Sequence, residues 1–280
     1  MSSLLDRFTA RDQGKVRVIE LNSIDNVRDF GGMPVEGNRI IPYGLFYRGS
    51  ALHGLTGDDI RTLFDINGIA CTIDLRCGWE CEAKPSFRRR DVDYFHIPFY
   101  DKDKVGIDYR ESAEGTEIVG KDIACDPDHF YRSLSNPLTV AQIRECIRRI
   151  FACATSGKPV YCHCSGGKDR TGIIAMLVQT ILGASEDDIM ADYLFTNVAR
   201  DKTIDEVYAR FLRLANGDAE KAQELTDSHR ARPENIAAFW ESVCELYGSK
   251  EEFFVNQLGI DENHRARLCS LCTEASAEAV

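Results

Sequence analysis

The chain has 280 residues, of which 44% are hydrophobic and 28% are charged, and its formal net charge is −11. These values are typical of a globular protein with one full-sized core, so we expect a single domain over residues 1–280. The acidic excess leaves no electrostatic footprint for nucleic acid or for an anionic membrane face. An anionic ligand would therefore need a local cluster of positive charge.

The cysteines and the N-terminal segment indicate the compartment. The 11 cysteines show no framework-like spacing, which favours reduced thiols over a disulfide scaffold. The opening stretch MSSLLDRFTARDQGK lacks the apolar run of a signal peptide, and no stretch has the length of a transmembrane segment. We expect a cytoplasmic protein. Export without a recognisable signal and the oligomeric state stay open.

Strand and helix signals alternate through the first part of the chain. Segments rich in β-branched and aromatic residues predict short strands at 16–21, 44–50, 70–75, 92–98 and 159–164. Thr56 precedes one helical segment, and Thr139 with Gln142 forms a capping box that predicts a helix starting at Thr139. One apolar stripe then recurs at helical spacing, through Val140, Ile143, Ile147, Ile150, Phe151 and Ala154. This alternation predicts an α/β protein with a central sheet flanked by helices.

The remaining segments are predicted as an insertion and a helical end. Residues 101–137 are polar, acidic and weakly periodic, which is typical of an insertion or lid over a functional face. From Gly172 onward the pattern is helical, and residues 185–280 are predicted to add C-terminal helices. Ser185 and Pro233 are placed to begin two of them.

The stretch YCHCSGGKDRTG, residues 161–172, combines a strand exit, a loop and a helix entry. Its loop, Ser165–Arg170, curls at a helix N-terminus, where unpaired amides and the helix dipole favour an anion. Gly166 and Gly167 let successive amides converge on one point. The planar fork of Arg170 can hold two oxygens of a tetrahedral oxyanion.

Cys164 directly precedes this loop, and the loop is expected to increase its reactivity. Amides and a guanidinium that bind phosphate also favour the thiolate, which is the nucleophilic form of cysteine. This setting favours covalent catalysis, in which sulfur attacks phosphorus and an alkoxide or phenoxide leaves. The fuller pattern His163-Cys164-x-x-Gly167-Lys168-x-Arg170-Thr171 is far too specific for chance.

The stretch resembles the signature loop of cysteine-dependent phosphatases, in the HC-x-x-G-K-D-R-T-G form of the bacterial tyrosine/serine and phosphoinositide phosphatase family. NVRDFGG (26–32), LFYRGSALHGLT (45–56) and IDLRCGWE (73–80) are similar to its upstream blocks, and IMADYLFTN (189–197) and YGSKEEFFVNQLGI (247–260) to its C-terminal helices. The resemblance implies a mixed central sheet and a phosphoric monoester hydrolase that acts through a phosphocysteine intermediate. The implied substrate is phosphotyrosine, with phosphoserine, phosphothreonine or a phosphoinositide as further options.

The resemblance and the local chemistry together assign candidate roles. Cys164 is the nucleophile and Arg170 the transition-state clamp, and Ser165, Gly166, Gly167 and Lys168 bind the phosphoryl group. His163 is expected to orient the loop through backbone hydrogen bonds. Thr171 is expected to donate its hydroxyl to the sulfur, the alternative being an ordinary first-turn helix residue. Lys168 points to a substrate with additional phosphates, or it is a charge that offsets Asp169.

The general acid is the open assignment. In the family that the chain resembles, the loop aspartate, here Asp169, is the favoured acid. Other cysteine phosphatases carry the acid on a loop after an upstream strand, where Asp101 lies here. Asp74, at the end of its strand, is the third candidate.

Neither a metal nor another cofactor is expected, since the spacing of Cys162, His163 and Cys164 is not a zinc pattern. An inositol polyphosphate phosphatase and a non-catalytic phosphate-binding module are alternative functions. A sulfurtransferase or arsenate reductase is a further alternative, which the Lys-Asp-Arg-Thr run disfavours. A module without activity would be expected to lose Cys164 or Arg170.

Overall fold

The computed structural model describes Phe8 and residues 16–99, 109–112, 115–118 and 127–276. The described strands are β1 (Arg28–Asp29), β2 (Pro34–Val35), β3 (Arg39–Ile40), β4 (Phe46–Gly49), β5 (Cys71–Asp74), β6 (Asp93–His96), β7 (Tyr109–Ser112), β8 (Gly115–Ile118), β9 (Val160–His163) and β10 (Glu274–Ala275). The described helices are α1 (Gly57–Ile60, continued as a π-helix over Arg61–Ile66), α2 (Gly78–Ala83), α3 (Pro127–Ser133), α4 (Pro137–Thr155), α5 (Asp169–Ile181), α6 (Glu186–Ala199), α7 (Asp201–Leu214), α8 (Ala219–Asp227), α9 (Pro233–Tyr247), α10 (Lys250–Glu252, continued as a π-helix over Phe253–Leu258) and α11 (Glu262–Cys272).

The main sheet has the strand order β1-β4-β9-β5-β6. β4, β9, β5 and β6 run parallel, and β1 is antiparallel to β4, so the sheet is mixed. β9 lies in the middle, and all four of its residues are buried. Because parallel strands end at the same edge, Cys164 emerges at the centre of the carboxyl edge. The expected α/β architecture, with a mixed sheet and additional C-terminal helices, is confirmed.

Alternation along the strands divides the core into two layers. Val160, Cys162 and Phe46 belong to the large cluster that also contains the apolar stripe of α4 and most of α5. Tyr161 and Tyr47 point to the opposite face, where they join a smaller cluster with Leu63 and Phe64. The sheet is therefore covered on both faces, which fixes the position of the β9 end.

Two local predictions are wrong. Residues 16–21 form no strand; Val18 makes only one isolated bridge, to Arg28. Helix α4 begins at Pro137, capped by the Asn136 side chain, which accepts from the Leu138 and Thr139 amides. Thr139 is not the cap because its hydroxyl donates to the Phe99 carbonyl at 3.0 Å. The other four predicted strands, the α4 stripe, the Ser185 cap and Pro233 as a first helical residue are confirmed.

The predicted insertion at 101–137 lies partly outside the described residues, namely at 101–108, 113–114 and 119–126. Its described C-terminal end belongs to the core, since Tyr131 and Leu134 are each 1% exposed. No helix in the described ranges combines the length and the apolar character needed to cross a bilayer.

Candidate active site

The signature loop, Cys164–Arg170, joins β9 to α5 as predicted. Cys164 is 2% and Arg170 7% exposed, so both lie at the bottom of the loop rather than on its surface. Gly167 has a φ of +65°, and a Cβ there would lie 2.4 Å from the carbonyl of Gly49. Only glycine satisfies both the left-handed backbone and the close approach of β4.

The loop carbonyls are held from outside. The Gly166 carbonyl accepts from Asn26 Nδ2 at 2.9 Å, the Gly167 carbonyl from Arg48 Nη2 at 2.8 Å, and the Ser165 carbonyl from the Ala51 amide at 3.1 Å. In a planar trans peptide the next N–H points opposite to the carbonyl. The amides that follow these three carbonyls are therefore turned away from Asn26 and Arg48. Such a set of aligned amides binds an anion without side-chain charge.

Arg48 is itself fixed by a buried ion-pair network. Asp192 accepts from Arg28 Nε at 2.8 Å and from Arg48 Nη1 at 2.7 Å, and the three side chains are at most 1% exposed. Burial alone would raise the pKa of Asp192, but the charges of Arg28 and Arg48 outweigh it and hold the pKa well below its usual range. Asp192 thus stays ionised and positions the guanidinium that holds the loop.

Arg170 is held by a bidentate ion pair with Glu80 of α2. The Nη1–Oε2 distance is 2.6 Å and the Nη2–Oε1 distance is 2.9 Å. Glu80 also accepts from the Ser165 hydroxyl and from the Cys77 amide. Burial raises the pKa of Glu80, but the Arg170 charge prevails and lowers it to about 2. The carboxylate is thus ionised and fixes the plane of the fork.

The loop aspartate is linked to a buried chain of hydroxyl groups. Tyr131 donates to Asp169 Oδ1 at 2.5 Å, the Tyr131 and Tyr193 hydroxyls lie 2.6 Å apart, and Asn235 Nδ2 donates to Tyr193 at 3.0 Å. The Asp169 side chain is 30% exposed, so it remains accessible from the loop rim. Burial raises the pKa of Asp169, but the charge of Lys168 and the Tyr131 hydrogen bond outweigh it, and the net pKa is lowered.

Two cations form what we call the basic rim, Lys168 and Arg200. Lys168 Nζ lies 3.3 Å from Asp169 Oδ1 and donates to the Ser228 carbonyl at 3.4 Å. The Arg200 Cζ lies 3.0 Å from the position that a Cβ on Gly166 would occupy. Its nearest carboxylate, on Asp25, is 3.7 Å away. The rim thus places two cations at the loop, each with a carboxylate within 4 Å.

The ring of His229 lies close enough to both cations for their charges to act on it. Burial lowers the pKa of His229, and the charges of Lys168 and Arg200 lower it further. His229 lies just after α8, whereas Arg200 lies between α6 and α7. The rim is consequently built by Lys168 of the loop and by Arg200 from a helix junction distant from it in sequence.

His163 and Thr171 flank the nucleophile. His163 is fully buried, and its Nδ1 donates to the Cys164 carbonyl at 3.3 Å, which matches the predicted orienting contact. Burial is the largest of the effects that lower the pKa of His163, which favours the neutral ring. The Thr171 hydroxyl is buried and has no hydrogen-bond partner in the described part of the chain. It makes no contact of this kind with the Cys164 sulfur.

The two other candidates for the general acid are Asp74 and Asp101. Asp74 is fully buried and accepts from Arg76 Nε and Nη2 at 2.9 and 2.8 Å and from Tyr94 at 3.1 Å. Burial raises the pKa of Asp74, but the positive partners around it outweigh burial and hold the pKa far below its usual range. Asp101 lies outside the described residues.

Among the described residues no group of three or more His, Cys, Asp or Glu side chains is arranged to hold a metal ion. Glu80, Tyr131 and Arg200 are among the side chains of the site that received no role from the sequence. Glu80 stands in the quoted IDLRCGWE block, so that block carried a signal for it. No sequence signal marked Tyr131 or Arg200, since each reaches the loop only through the tertiary fold.

Comparison with known proteins assigns this fold and loop to a class. A model described as the tyrosine phosphatase family matches residues 19–274. The protein is accordingly a phosphoric monoester hydrolase. The chain belongs to the tyrosine phosphatase family.

Individual relatives agree with this assignment. A protein of Cupriavidus necator that carries a tyrosine-protein phosphatase name is 25% identical over 248 residues, which cover 87% of this chain and 85% of that protein. The triple specificity protein phosphatase PtpB of Mycobacterium tuberculosis is 32% identical over 114 residues, covering 37% of this chain and 40% of PtpB. A tyrosine-protein phosphatase of Nostoc commune is 29% identical over 157 residues, covering 55% of this chain and 48% of that protein.

Solved structures with partial likeness include TpbA of P. aeruginosa, at 12% identity and a TM-score of 0.36, covering 75% of this chain and 96% of TpbA. The catalytic core of the PP-IP phosphatase SIW14 of S. cerevisiae has 13% identity and a TM-score of 0.35, covering 71% of this chain and 98% of that core. At these scores the likeness carries no conclusion about this chain.

Proposed function

We propose that the enzyme hydrolyses phosphotyrosine through a phosphocysteine on Cys164, and that its basic rim extends the substrate range to esters with a second phosphate, such as phosphoinositides. The observation that carries the proposal is the loop itself. Cys164 begins a loop whose carbonyls are held by external hydrogen bonds, and Arg170 at the other end of this loop is held by Glu80.

In the first step the Cys164 sulfur attacks phosphorus, and the bond from phosphorus to the ester oxygen breaks. The loop amides and Arg170 stabilise the charge on the three equatorial oxygens. The leaving oxygen takes a proton from Asp169, which is exposed at the rim. In the second step water attacks the phosphocysteine, Asp169 accepts its proton, and phosphate leaves. The P–S bond breaks in this step, and Cys164 returns to the thiolate.

Asp169 needs a proton that its lowered pKa withholds in the free enzyme. A bound phosphate dianion supplies negative charge next to the carboxylate and competes with it for Lys168. Both effects raise the pKa of a carboxyl group, so substrate binding itself favours the protonated acid. Asp74 is not proposed as the acid because its ion pair with Arg76 keeps it ionised and because its side chain is fully buried.

The rim supports the substrate range. Glu80 neutralises Arg170, whereas Lys168 and Arg200 have only the longer carboxylate contacts at 3.3 and 3.7 Å. Lys168 in the loop and Arg200 beside it match the charge of a second phosphate better than the neutral flank of a phosphotyrosine ring. The triple specificity named for PtpB is in keeping with such a range.

Metal-free assays with a phosphotyrosine peptide, a phosphoserine peptide and a phosphoinositide test this function. Cys164→Ser is expected to abolish turnover of all substrates while phosphate still binds. Wild-type protein quenched with acid during turnover should carry phosphate on Cys164. Turnover by Cys164→Ser would refute the nucleophile. Arg200→Gln should lower kcat/KM for the phosphoinositide about tenfold or more, with little change for phosphotyrosine. The exposed Lys202→Gln is the matched control, and an equal loss on both substrates would refute the rim assignment.

A further inference from the structure

Two thiols face each other on the helix-covered side of the sheet. The Sγ atoms of Cys71 and Cys153 lie 3.1 Å apart, although the residues are 82 positions apart in sequence. Cys71 is the first residue of β5, and Cys153 lies in the last turn of α4. Both are free thiols. A disulfide requires about 2.05 Å between the sulfurs, so a bond needs an approach of only about 1 Å.

The surroundings assign different parts to the two sulfurs. The hydrogen bond with Cys71 lowers the pKa of the Cys153 thiol to about 7, and the charges of Lys158 and Arg149 act in the same direction. The same hydrogen bond, together with burial, raises the pKa of Cys71. Cys153, which is also the more exposed residue of the two, is therefore the more acidic thiol and the expected nucleophile of the pair, whereas Cys71 holds its proton more firmly.

Cys153 is the more accessible residue of this pair. Cys153 is 7% exposed, while Cys71 is fully buried behind it. Lys158 forms an ion pair with Asp93 at 2.7 Å, and the two side chains are 49% and 48% exposed. Asp93 is the partner of Cys71 in the β5–β6 register. The dithiol thus lies directly beneath a solvated ion pair.

We propose that Cys71 and Cys153 form an oxidisable dithiol that a peroxide converts to a disulfide, a modification site separate from the catalytic cysteine. The Cys153 thiolate attacks one peroxide oxygen and the O–O bond breaks, which leaves a sulfenic acid and, after protonation, water. The Cys71 sulfur then attacks Cys153, the S–O bond breaks, and the Cys71 proton leaves with the hydroxide as a second water. The two thiols lose two electrons and the peroxide gains them.

The bridge would leave the signature loop untouched. Cys71 is aligned with Val160, the first residue of β9, whereas Cys164 follows its last residue. The dithiol and the loop therefore lie at opposite ends of the sheet. A bond between β5 and α4 would instead close a long segment of chain and stabilise the fold.

Another thiol pair, Cys146 and Cys162, is less suited to oxidation. Cys162 is 5% exposed, and burial together with its hydrogen bond to Cys146 raises its pKa. A thiol that stays protonated attacks peroxide slowly. Cys146 is fully buried. This pair is the internal comparison for the experiment.

The test treats the reduced, full-length protein with hydrogen peroxide and maps its peptides without reduction. We expect a linked peptide pair containing Cys71 and Cys153, lost on adding dithiothreitol, and a rise of about 5 °C in the unfolding midpoint. Cys71→Ser and Cys153→Ser should abolish the linkage and the rise, and Cys146→Ser should keep both. Cys164→Ser should also keep both, because the dithiol acts without the catalytic sulfur.

The proposal is overturned if Cys71 and Cys153 are both alkylated after peroxide treatment, or if the linkage joins Cys162 to Cys146 or Cys164. The wild-type peptide map decides between these outcomes, so a variant that does not fold leaves the result intact. The result is also independent of phosphatase activity.

Discussion

The hydroxyl of Tyr131 donates a hydrogen bond to the carboxylate of Asp169 at 2.5 Å. Tyr131 is 1% exposed and lies on α3, which precedes the sheet strand that carries the loop. A hydrogen bond to the ionised form favours that form, so this contact is one reason for the lowered pKa of Asp169. The tyrosine therefore influences the protonation state of Asp169 from a buried position behind it.

Tyr131→Phe is expected to raise the pKa of Asp169, because the hydrogen bond that favours its ionised form is lost. If Asp169 is the acid, the protonated form then persists to higher pH. The alkaline limb of the pH profile of kcat should consequently move upward, as measured with an aryl phosphate. The pH dependence of stability gives a second readout. The pKa of Asp169 is lowered in the folded state, so its contribution to stability is present above its ordinary pKa and is lost as the pH falls. That loss should be smaller in Tyr131→Phe.

Tyr247→Phe is the matched control for this prediction. Its hydroxyl also donates one hydrogen bond, to the Ser135 carbonyl at 2.8 Å, but it has no contact with Asp169. Both variants should lose about 1 kcal/mol of stability at neutral pH. Only Tyr131→Phe should shift the kcat profile. Equal pH profiles of kcat for the two variants would mean that Tyr131 does not influence the general acid.

Leaving-group dependence distinguishes Asp169 from Asp101. The true acid matters most when the leaving oxygen is a poor one, because such an oxygen cannot depart without a proton. Asp169→Asn should lower kcat by about 100-fold or more on an alkyl phosphate and far less on p-nitrophenyl phosphate. Asp101→Asn should affect both substrates alike. The reverse pattern would transfer the role to Asp101.

Gly167→Ala tests the backbone of the loop. A Cβ at this position meets the Gly49 carbonyl at 2.4 Å, and the φ of +65° adds strain of about 1–2 kcal/mol. Since a small misplacement of binding groups is costly for catalysis, kcat/KM should fall by about 100-fold. Gly157→Ala is the control, with a φ of +74° and no atom within 4 Å. This variant should lose a similar amount of stability to backbone strain but retain activity. Comparable losses of activity in both variants would indicate a global effect.

The signature loop was predictable because its chemistry is local. Cys164 and Arg170 lie within seven residues of each other. The glycines between them indicate both a tight loop conformation and an anionic ligand. The strands that end near it were predicted for the same reason, since their β-branched residues signal burial on both faces.

Long-range partners were not predictable. Arg170 is held by Glu80 across 90 positions, and Asp169 by Tyr131 across 38 positions. Tyr131 is not distinguished in composition from its neighbours. Glu80 stands in the IDLRCGWE block, but nothing in that block indicates Arg170 as its partner, so only the fold reveals the two pairings. The α4 start illustrates a competition that sequence does not resolve. Asn136 and Thr139 both have capping side chains, and the buried Phe99 carbonyl decides between them by accepting the threonine hydroxyl.

Glu80→Gln tests whether the carboxylate is needed to fix the fork. The substitution keeps the shape of the side chain but removes the charge that faces Arg170 at 2.6 Å. With no carboxylate charge facing the buried Arg170, the phosphate-binding geometry loosens, and kcat/KM for an aryl phosphate should fall at least about tenfold. The exposed Glu82→Gln, on the same helix, should leave kcat/KM unchanged.

Stability against pH gives the independent check on Glu80. Its pKa is lowered from 4.5 to about 2 in the folded protein, so the unfolded chain binds the proton more readily. The carboxylate therefore stabilises the fold fully above its ordinary pKa, by up to about 3 kcal/mol, and this contribution disappears as the pH falls toward 2. Urea unfolding should show a clear deficit for Glu80→Gln at pH 7 that shrinks below pH 4. A deficit that stayed constant across this range would mean that the glutamate supports the fork by shape alone, without its charge.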